Sequence, residues 1–249
     1  MYRIFSRLER RDGGVQFLNY GYAPPRPVSP ARLVEADEDD RPFIELYRRV
    51  VGQIDLGGRD VLEVSCGHGG GASYITRYMA PRRVVGLDLN PRGIQMCRET
   101  HSAKGLEFEV GDALDLPFVD TTFDAVVNIE ASHCYPSIAA FLAEVGRLLR
   151  PGGHLLFADF RWLSAQQDDL RQEILDGPLD IVECEDLTAG VVAALDAYAG
   201  RRRVLVDESI PGPFVGLALR HFAVPGTSAF ESFRSGEGTY LRYVLRKPS

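Results

Sequence analysis

Five short apolar runs separated by segments of helical periodicity fill the middle of this chain. They are VLEV at 61–64, VVGLDL within 83–89, LEFEV at 106–110, FDAVVNI at 123–129 and HLLFADF at 154–160. Helical patterns lie between them at about 72–79 and from Pro91, a residue suited to a first helical turn, to about 101. A third helix carries Ile138, Phe141, Leu142, Val145, Leu148 and Leu149 at helical spacing and stops at Arg150-Pro-Gly-Gly. Near-continuous apolar strands alternating with helices imply an α/β fold, a mostly parallel sheet with helices on both faces. Such sheets bind ligands beyond the carboxyl ends of their strands. That rule gathers 63–69, Asp88, Asp112, 130–133 and 159–161 around one crevice.

The flanks are less regular. Residues 23–42 are rich in proline and acid and read as an irregular arm, followed by a short helix over 41–53 with Phe43, Leu46, Tyr47 and Val50 on one face. Residues 163–222 break the alternation with helical patterns at about 165–176 and 187–200 and the segment IPGPF at 210–214. The expectation is one domain over 1–249: an N-terminal helical arm (1–52), a cofactor-binding core (53–162), an inserted helical lid (163–222) and closing strands (223–249), with YLRYVLR at 240–246 as the last. The stripe Phe214, Leu217, Leu219 and Phe222 reads as core. Net charge is −7, so electrostatics disfavour a nucleic-acid partner. No apolar run reaches the roughly 20 residues of a membrane span, and MYRIFSRLERR lacks the hydrophobic region of a secretory signal, so a cytoplasmic chain is expected. Cys66, Cys97, Cys134 and Cys184 show no zinc spacing and are expected to be reduced, mostly buried thiols.

VLEVSCGHGGGA at 61–72 poses the ligand question. Gly67-x-Gly69-x-x-Ala72 matches a dinucleotide fingerprint, whereas Glu63-x-x-x-Gly67-x-Gly69 matches a turn for S-adenosylmethionine. Asp88, 21 residues after Gly67, can accept from the ribose hydroxyls of either cofactor. Charge separates them. A carboxylate at Glu63 would repel a pyrophosphate but favour a cationic sulfonium. Asp112, beside a backbone N–H, can read an adenine edge, and no second mononucleotide half follows. A nicotinamide oxidoreductase fits the glycines but not Glu63.

The segments VLEVSCGHGGG, VVGLDLNP, EVGDALDLPF, FDAVVNIEASHCYP and LLRPGGHLLFADFR resemble class I S-adenosylmethionine-dependent methyltransferases, strongly over about 51–161 and more thinly through 163–249. SCGHGGGASY together with NIEASHCYP is similar to the actinobacterial group holding the phthiotriolone/phenolphthiotriolone dimycocerosates and glycopeptidolipid O-methyltransferases. The resemblance implies the Rossmann-like class I fold with a seven-stranded sheet. It implies that Gly67 and Gly69 pass close to the methionine part of the cofactor, with Glu63 nearby. Asp88 would hold the ribose, Leu89 would pack on the adenine, and Asp112 and Ala113 would read its edge. Asn19-Tyr-Gly-Tyr22 resembles a segment that closes over the cofactor, with Tyr22 as the contact. Ser65 stands where most members have the first glycine of the turn; its hydroxyl either bonds the cofactor carboxylate or is merely tolerated.

Methyl transfer is an in-line displacement with a neutral thioether leaving group, so an enzyme must align the acceptor and remove its proton. His133, after the fourth strand, suits a general base; the alternative is a structural histidine capping the next helix. Asp159 can orient that ring, bind the acceptor hydroxyl, or serve as a cap or salt-bridge partner. Glu130 is expected to shape the cofactor pocket, and Arg161 and Trp162 are candidates for the acceptor site. His68 is expected to face the cofactor or a neighbouring loop, and His101, His154 and His221 are expected to be structural. The same histidine–aspartate pair resembles that of sugar O-methyltransferases. The expected reaction methylates a hydroxyl of a hydrophobic or glycosylated small molecule (a lipid, polyketide or sugar-bearing natural product), releasing S-adenosylhomocysteine. Asp159 could ligate Mg²⁺, but no second carboxylate/amide pair stands out, so a metal-independent reaction is expected. Carbon or nitrogen methylation would use every cofactor residue named, as would a non-methylating binder or pericyclase on this fold. Acceptor specificity is expected in 1–50 and 163–222.

Overall fold

The apolar runs join one sheet. The computed structural model describes residues 15–24, 29, 31–209, 212, 215–221 and 223–249. Its strands are β1 (Asp60–Val64), β2 (Arg83–Asp88), β3 (Leu106–Val110), β4 (Phe123–Ile129), β5 (Leu149–Arg161), β6 (Asp180–Asp186) and β7 (Thr239–Arg246), in the order β3-β2-β1-β4-β5-β7-β6. β1 to β5 run parallel, and β7 pairs antiparallel with both β5 and β6. This is the mostly parallel, seven-stranded, class I methyltransferase-like architecture that the alternation and the resemblance imply.

Side chains alternate between two cores, as the period of a strand requires. Val61 of β1 faces α1 (Arg41–Val51), α2 (Gly70–Tyr78) and α3 (Pro91–Thr100), packing with Leu46, Ile75 and Cys97. Leu62 and Val64 face α4 (Ile138–Leu148) and α5 (Ser164–Leu175), packing with Phe141, Leu142, Leu170 and Ile174. Local chemistry starts the helices where they start. The Asn90 side chain accepts from the Arg92 N–H ahead of Pro91, and Ser137 Oγ accepts from the Ala140 N–H at 3.1 Å.

Three segments differ from expectation. The irregular arm over 23–42 contains a 3₁₀ helix, Glu35–Asp40. β5 begins at Leu149 rather than 154, because Arg150-Pro-Gly-Gly joins the sheet edge, with Gly152 N–H donating to Lys247 O. The stretch 163–222 contains β6, so it is not purely helical. DIVECED is an acidic edge strand exposed along most of its length, and charge on an edge strand blocks pairing with another chain rather than marking a core. The helices beyond the sheet are therefore α6 (Thr188–Ala197), α7 (Ala199–Ser209), α8 (Val215–His221) and α9 (Ser228–Ser235), all between β6 and β7. A single closing strand, β7, follows α9. MYRIFSRLERR, most of the segment 210–214, Phe222, and the side chains of Leu217 and His221 lie outside the described residues. Among the described residues, no helix is long and apolar enough to cross a membrane.

Arg242 of β7 holds the antiparallel edge. Its side chain is fully buried, and its Nη2 reaches Glu183 Oε1 at 2.5 Å and Glu185 Oε2 at 2.7 Å on β6. Glu185 also pairs with Arg49 of α1, so one acid ties helix, edge strand and closing strand together. Removing a buried partner from such a network leaves a void and unpaired acids. Arg242→Ala is expected to lower unfolding stability by about 2–4 kcal/mol, measurable as a fall in the urea midpoint.

Candidate active site

The turn after β1 is built from three residues in left-handed conformation: Ser65 (φ 60°), Gly67 (φ 58°) and Gly69 (φ 80°). A non-glycine residue there costs roughly 1–2 kcal/mol, a strain that Ser65 carries. The Gly67 N–H donates to Asp88 Oδ2 at 3.0 Å, and Asp88 Oδ1 accepts from the Asn90 N–H at 2.9 Å. One carboxylate thus joins the turns after β1 and β2. Burial pushes the pKa of Asp88 up, against these two N–H donors, which favour its charged form. The glycines also leave no room for side chains. A Cβ at Gly71 would sit 2.1 Å from the Tyr47 ring, and one at Gly69 would sit 2.8 Å from Phe108.

Beyond these turns lies a cleft of about 1280 Å³. Single small-molecule sites run to roughly 300–1,000 Å³, so this one has space for two ligands side by side. Ser65, Gly67, Asp88, Leu89, Asp112, Ala113, Glu130 and His133 all line it. Leu89 is 65% exposed towards open space, while Asp112 Oδ1 accepts from the Leu114 N–H at 2.9 Å and Ala113 is buried. A nucleoside with an amino-acid tail fits this wall. It offers a carboxylate for a diol, apolar Leu89 and Ala113 for a purine, an acid for an amino edge, and a narrow backbone turn for the tail.

Two expected contacts are corrected, and a third residue has another role. Glu63 does not line the cleft. Strand alternation turns it to the same face as Val61, where its Oε1 accepts from Tyr47 Oη at 2.6 Å and its Oε2 is buried without a hydrogen-bond partner. Burial pushes its pKa up to about 7 despite the Tyr47 donor. It braces the turn from beneath, through Tyr47, and is not among the residues that line the cleft. Tyr22 does not line the cleft either; its ring lies against Gly190 of α6, and its N–H donates to Pro42 O. The tyrosine of NYGY that lines the cleft is Tyr20, because Gly21 (φ 75°) turns the chain between them. Gly69 is absent from the lining and packs against Phe108 and His101.

Residues 15–23 form a strap over the cleft. Val15 O bonds His68 Nδ1 at 2.7 Å, Gln16 O accepts from the Gly70 N–H at 3.2 Å, and the Tyr20 N–H donates to Glu130 Oε1 at 2.9 Å. Glu130 lies in the left-handed region (φ 52°), which aims its carboxylate at the strap, and burial pushes its pKa up to about 7 despite the Tyr20 N–H. His101 is structural, its Nε2 bonded to His68 O at 2.8 Å.

His133 sits on a short 3₁₀ turn, Ser132–Cys134, after β4, and Asp159 lies near the end of β5. Adjacent parallel strands bring them together, since Ile129 is in register with Ala158. His133 Nδ1 and Asp159 Oδ1 are 2.9 Å apart, and the His133 N–H donates to Oδ2 at 2.9 Å. Ser132 Oγ at 2.5 Å, the Phe160 N–H at 2.8 Å and Arg161 Nη1 at 3.3 Å complete the shell. Burial opposes the charged form of both partners, yet their mutual attraction outweighs it. The His133 imidazole is raised above its ordinary value, and the Asp159 carboxyl is held below its own. Asp159 is wholly buried and is not among the residues that line the cleft, so it is placed to orient the ring. Arg161 likewise points inward to Asp159 and Ser132, whereas Trp162 lines the cleft beside Phe160, ring centroids 4.6 Å apart. Sequence reasoning missed Ser132, Tyr20 and Gly71. The serine beside His133 in ASHCYP was the one visible signal. Among the described residues, no group of three His, Cys, Asp or Glu side chains is placed to hold a metal ion.

The chain is similar to known methyltransferases. Residues 62–157 match a family model described as a methyltransferase domain. The phthiotriol/phenolphthiotriol dimycocerosates methyltransferase of Mycobacterium leprae is 43% identical, covering 94% of this chain and 86% of that protein. A fatty-acid O-methyltransferase of Mycolicibacterium smegmatis is 40% identical, covering 100% of this chain and 89% of that protein. Among solved structures, the cyclase SpnF superposes with a TM-score of 0.73 over 100% of this chain and 94% of its own, at 21% identity. That likeness is one of fold alone. For the cofactor wall, Asp88→Ala is expected to weaken S-adenosylhomocysteine binding about 10- to 100-fold, as for a lost hydrogen bond to a charged group, read by isothermal titration calorimetry.

Proposed function

The chain belongs to the class I S-adenosylmethionine-dependent methyltransferases, and on that premise we propose that it methylates a hydroxyl oxygen of an apolar or glycosylated small molecule, with His133 as general base. The observation that carries this reading is the His133–Asp159 pair. Asp159 takes Nδ1, leaving Nε2 as the nitrogen offered to the cleft that His133 lines.

S-adenosylmethionine supplies the methyl group on a positively charged sulfur that leaves as a neutral thioether. The residues of this chain do the rest. Asp88, Leu89, Asp112 and Ala113 hold the nucleoside, and the strap from Gln16 to Tyr20 shields it from water. His133 accepts the hydroxyl proton at Nε2. Asp159 fixes the tautomer and stabilises the imidazolium that forms, as in other histidine–carboxylate pairs. Phe160 and Trp162 offer an aromatic wall to the acceptor body. The named acceptors of the two mycobacterial relatives, phthiotriol-type dimycocerosates and fatty acids, support an apolar acceptor here. The reaction is proposed to need no metal, because both oxygens of Asp159 are already occupied by Ser132, His133, Phe160 and Arg161. Activity is expected to persist in excess EDTA, and restoration of a lost rate by Mg²⁺ would overturn this.

The raised imidazole supports a second reading, in which a protonated His133 pairs with a carboxylate acceptor. The pH profile separates the two. A base must be neutral, so turnover would rise as pH climbs through the raised pKa of His133, with the acid limb above the ordinary value of about 6.5. A cationic anchor would give the opposite slope. With an alcohol acceptor, His133→Ala is expected to lower kcat about 10²- to 10⁴-fold while leaving S-adenosylhomocysteine affinity within about twofold. Asp159→Asn is expected to lower kcat and shift the acid limb to lower pH. Mass spectrometry and NMR of the product identify the methylated atom; a carbon- or nitrogen-bound methyl would refute O-transfer.

A further inference from the structure

Tyr135 belongs to none of the roles above, yet its hydroxyl sits in a fixed chain of hydrogen bonds at the part of the cleft beside the turn after β1. Asn128 Nδ2 donates to Val64 O at 3.0 Å and to Tyr135 Oη at 2.8 Å. The Val64 carbonyl can only accept, so it fixes which end of the amide faces it, and both amide hydrogens are spent. Asn128 Oδ1 is left buried without a partner, a cost borne to keep that orientation. Tyr135 Oη and Ser65 Oγ are 2.7 Å apart, and both residues line the cleft.

A proton count then decides what the pair can do. Two hydroxyls bring two hydrogens, one of which bridges the two oxygens. The other has no acceptor among the described residues. A phenol is the more acidic hydroxyl and the better donor, and the amide N–H on its oxygen polarises it further. Of the two arrangements the contact allows, these properties favour Tyr135 as donor to Ser65, which leaves the Ser65 hydrogen free for the cleft. Ser65 follows β1, whereas Asp88 marks the ribose at β2 and Asp112 the adenine at β3. The tail of S-adenosylmethionine has one acceptor to offer at β1, its carboxylate, since its ammonium can only donate.

We propose that Ser65 binds the carboxylate of the cofactor, and that Tyr135 and Asn128 are positioning residues acting through the Ser65 hydroxyl. This rests on S-adenosylmethionine as the cofactor but not on the acceptor or on the role of His133. It also gives a reason for a serine at a left-handed position where glycine is unstrained.

The test compares two ligands by titration calorimetry on the full chain: S-adenosylhomocysteine, which has the carboxylate, and 5′-methylthioadenosine, which lacks the amino-acid tail. Ser65→Ala is expected to weaken the first about 10- to 100-fold and the second less than about twofold. Tyr135→Phe should weaken the first by a smaller factor, and should add nothing in the Ser65→Ala background. Equal weakening of both ligands, or none, would overturn the proposal, as would an independent effect of Tyr135→Phe in the double variant. Retained binding of 5′-methylthioadenosine also shows that each variant is folded. Failure of the wild-type chain to bind S-adenosylhomocysteine would refute the cofactor reading and this proposal with it.

Discussion

A single buried carboxylate, Asp159, organises the chemical end of this molecule. An isolated charge in that position would be prohibitive, and breaking a buried pair typically costs about 3–5 kcal/mol. Five groups from two chain segments answer it: the Ser132 hydroxyl, the His133 N–H and imidazole, the Phe160 N–H and the Arg161 guanidinium. Satisfying that charge folds the loop after β4 onto the end of β5, and the same folding turns His133 towards the cleft. The placement of His133 is thus a by-product of neutralising a buried acid. Asp88 does the equivalent at the other end, where one carboxylate joins the turns after β1 and β2.

Glu63, which is buried, and Glu130, which is partly exposed at the cleft wall, form no salt bridge among the described residues. Their donors are neutral: the Tyr47 hydroxyl for Glu63 and the Tyr20 N–H for Glu130. Both carboxyls are pushed up to about 7 by burial. Both therefore differ from Asp159, which is paired with His133 and Arg161 and held ionised. Spacing along the chain does not distinguish them; surroundings do.

The inner parallel strands were legible because strands buried on both faces must be apolar almost throughout, and β1, β2, β4 and the second half of β5 obey that demand, whereas β3, at the edge, was legible only from its alternation with the helices. Parallel order also made the meeting of His133 and Asp159 foreseeable, since both follow neighbouring strands. β6 escaped because an exposed edge strand is under no such demand, and its acids answer Arg242 and solvent rather than a core. Tyr22 was preferred over Tyr20 because the pattern NYGY carries two tyrosines, and only the backbone turn at Gly21 decides which faces inward. Glu63 was misplaced for a different reason. Its alternation with Leu62 and Val64 pointed to the face of α1 and α2, but a charged residue at a strand end reads as ligand-binding before it reads as a brace.

The placement of the helical insert bears on how such a chain can change its substrates. α6 to α9 leave and re-enter the sheet at antiparallel neighbours, with Asp186 of β6 in register with Leu241 of β7. The ends of the insert are thus already held together, and doubling the length of a flexible loop costs only about 0.6 kcal/mol in closure entropy. Remodelling between them leaves the register of β1 to β5, and hence the nucleoside wall, undisturbed. The part of the cleft beside β1 to β3 can thus stay fixed while the part lined by α8 and α9 is rebuilt.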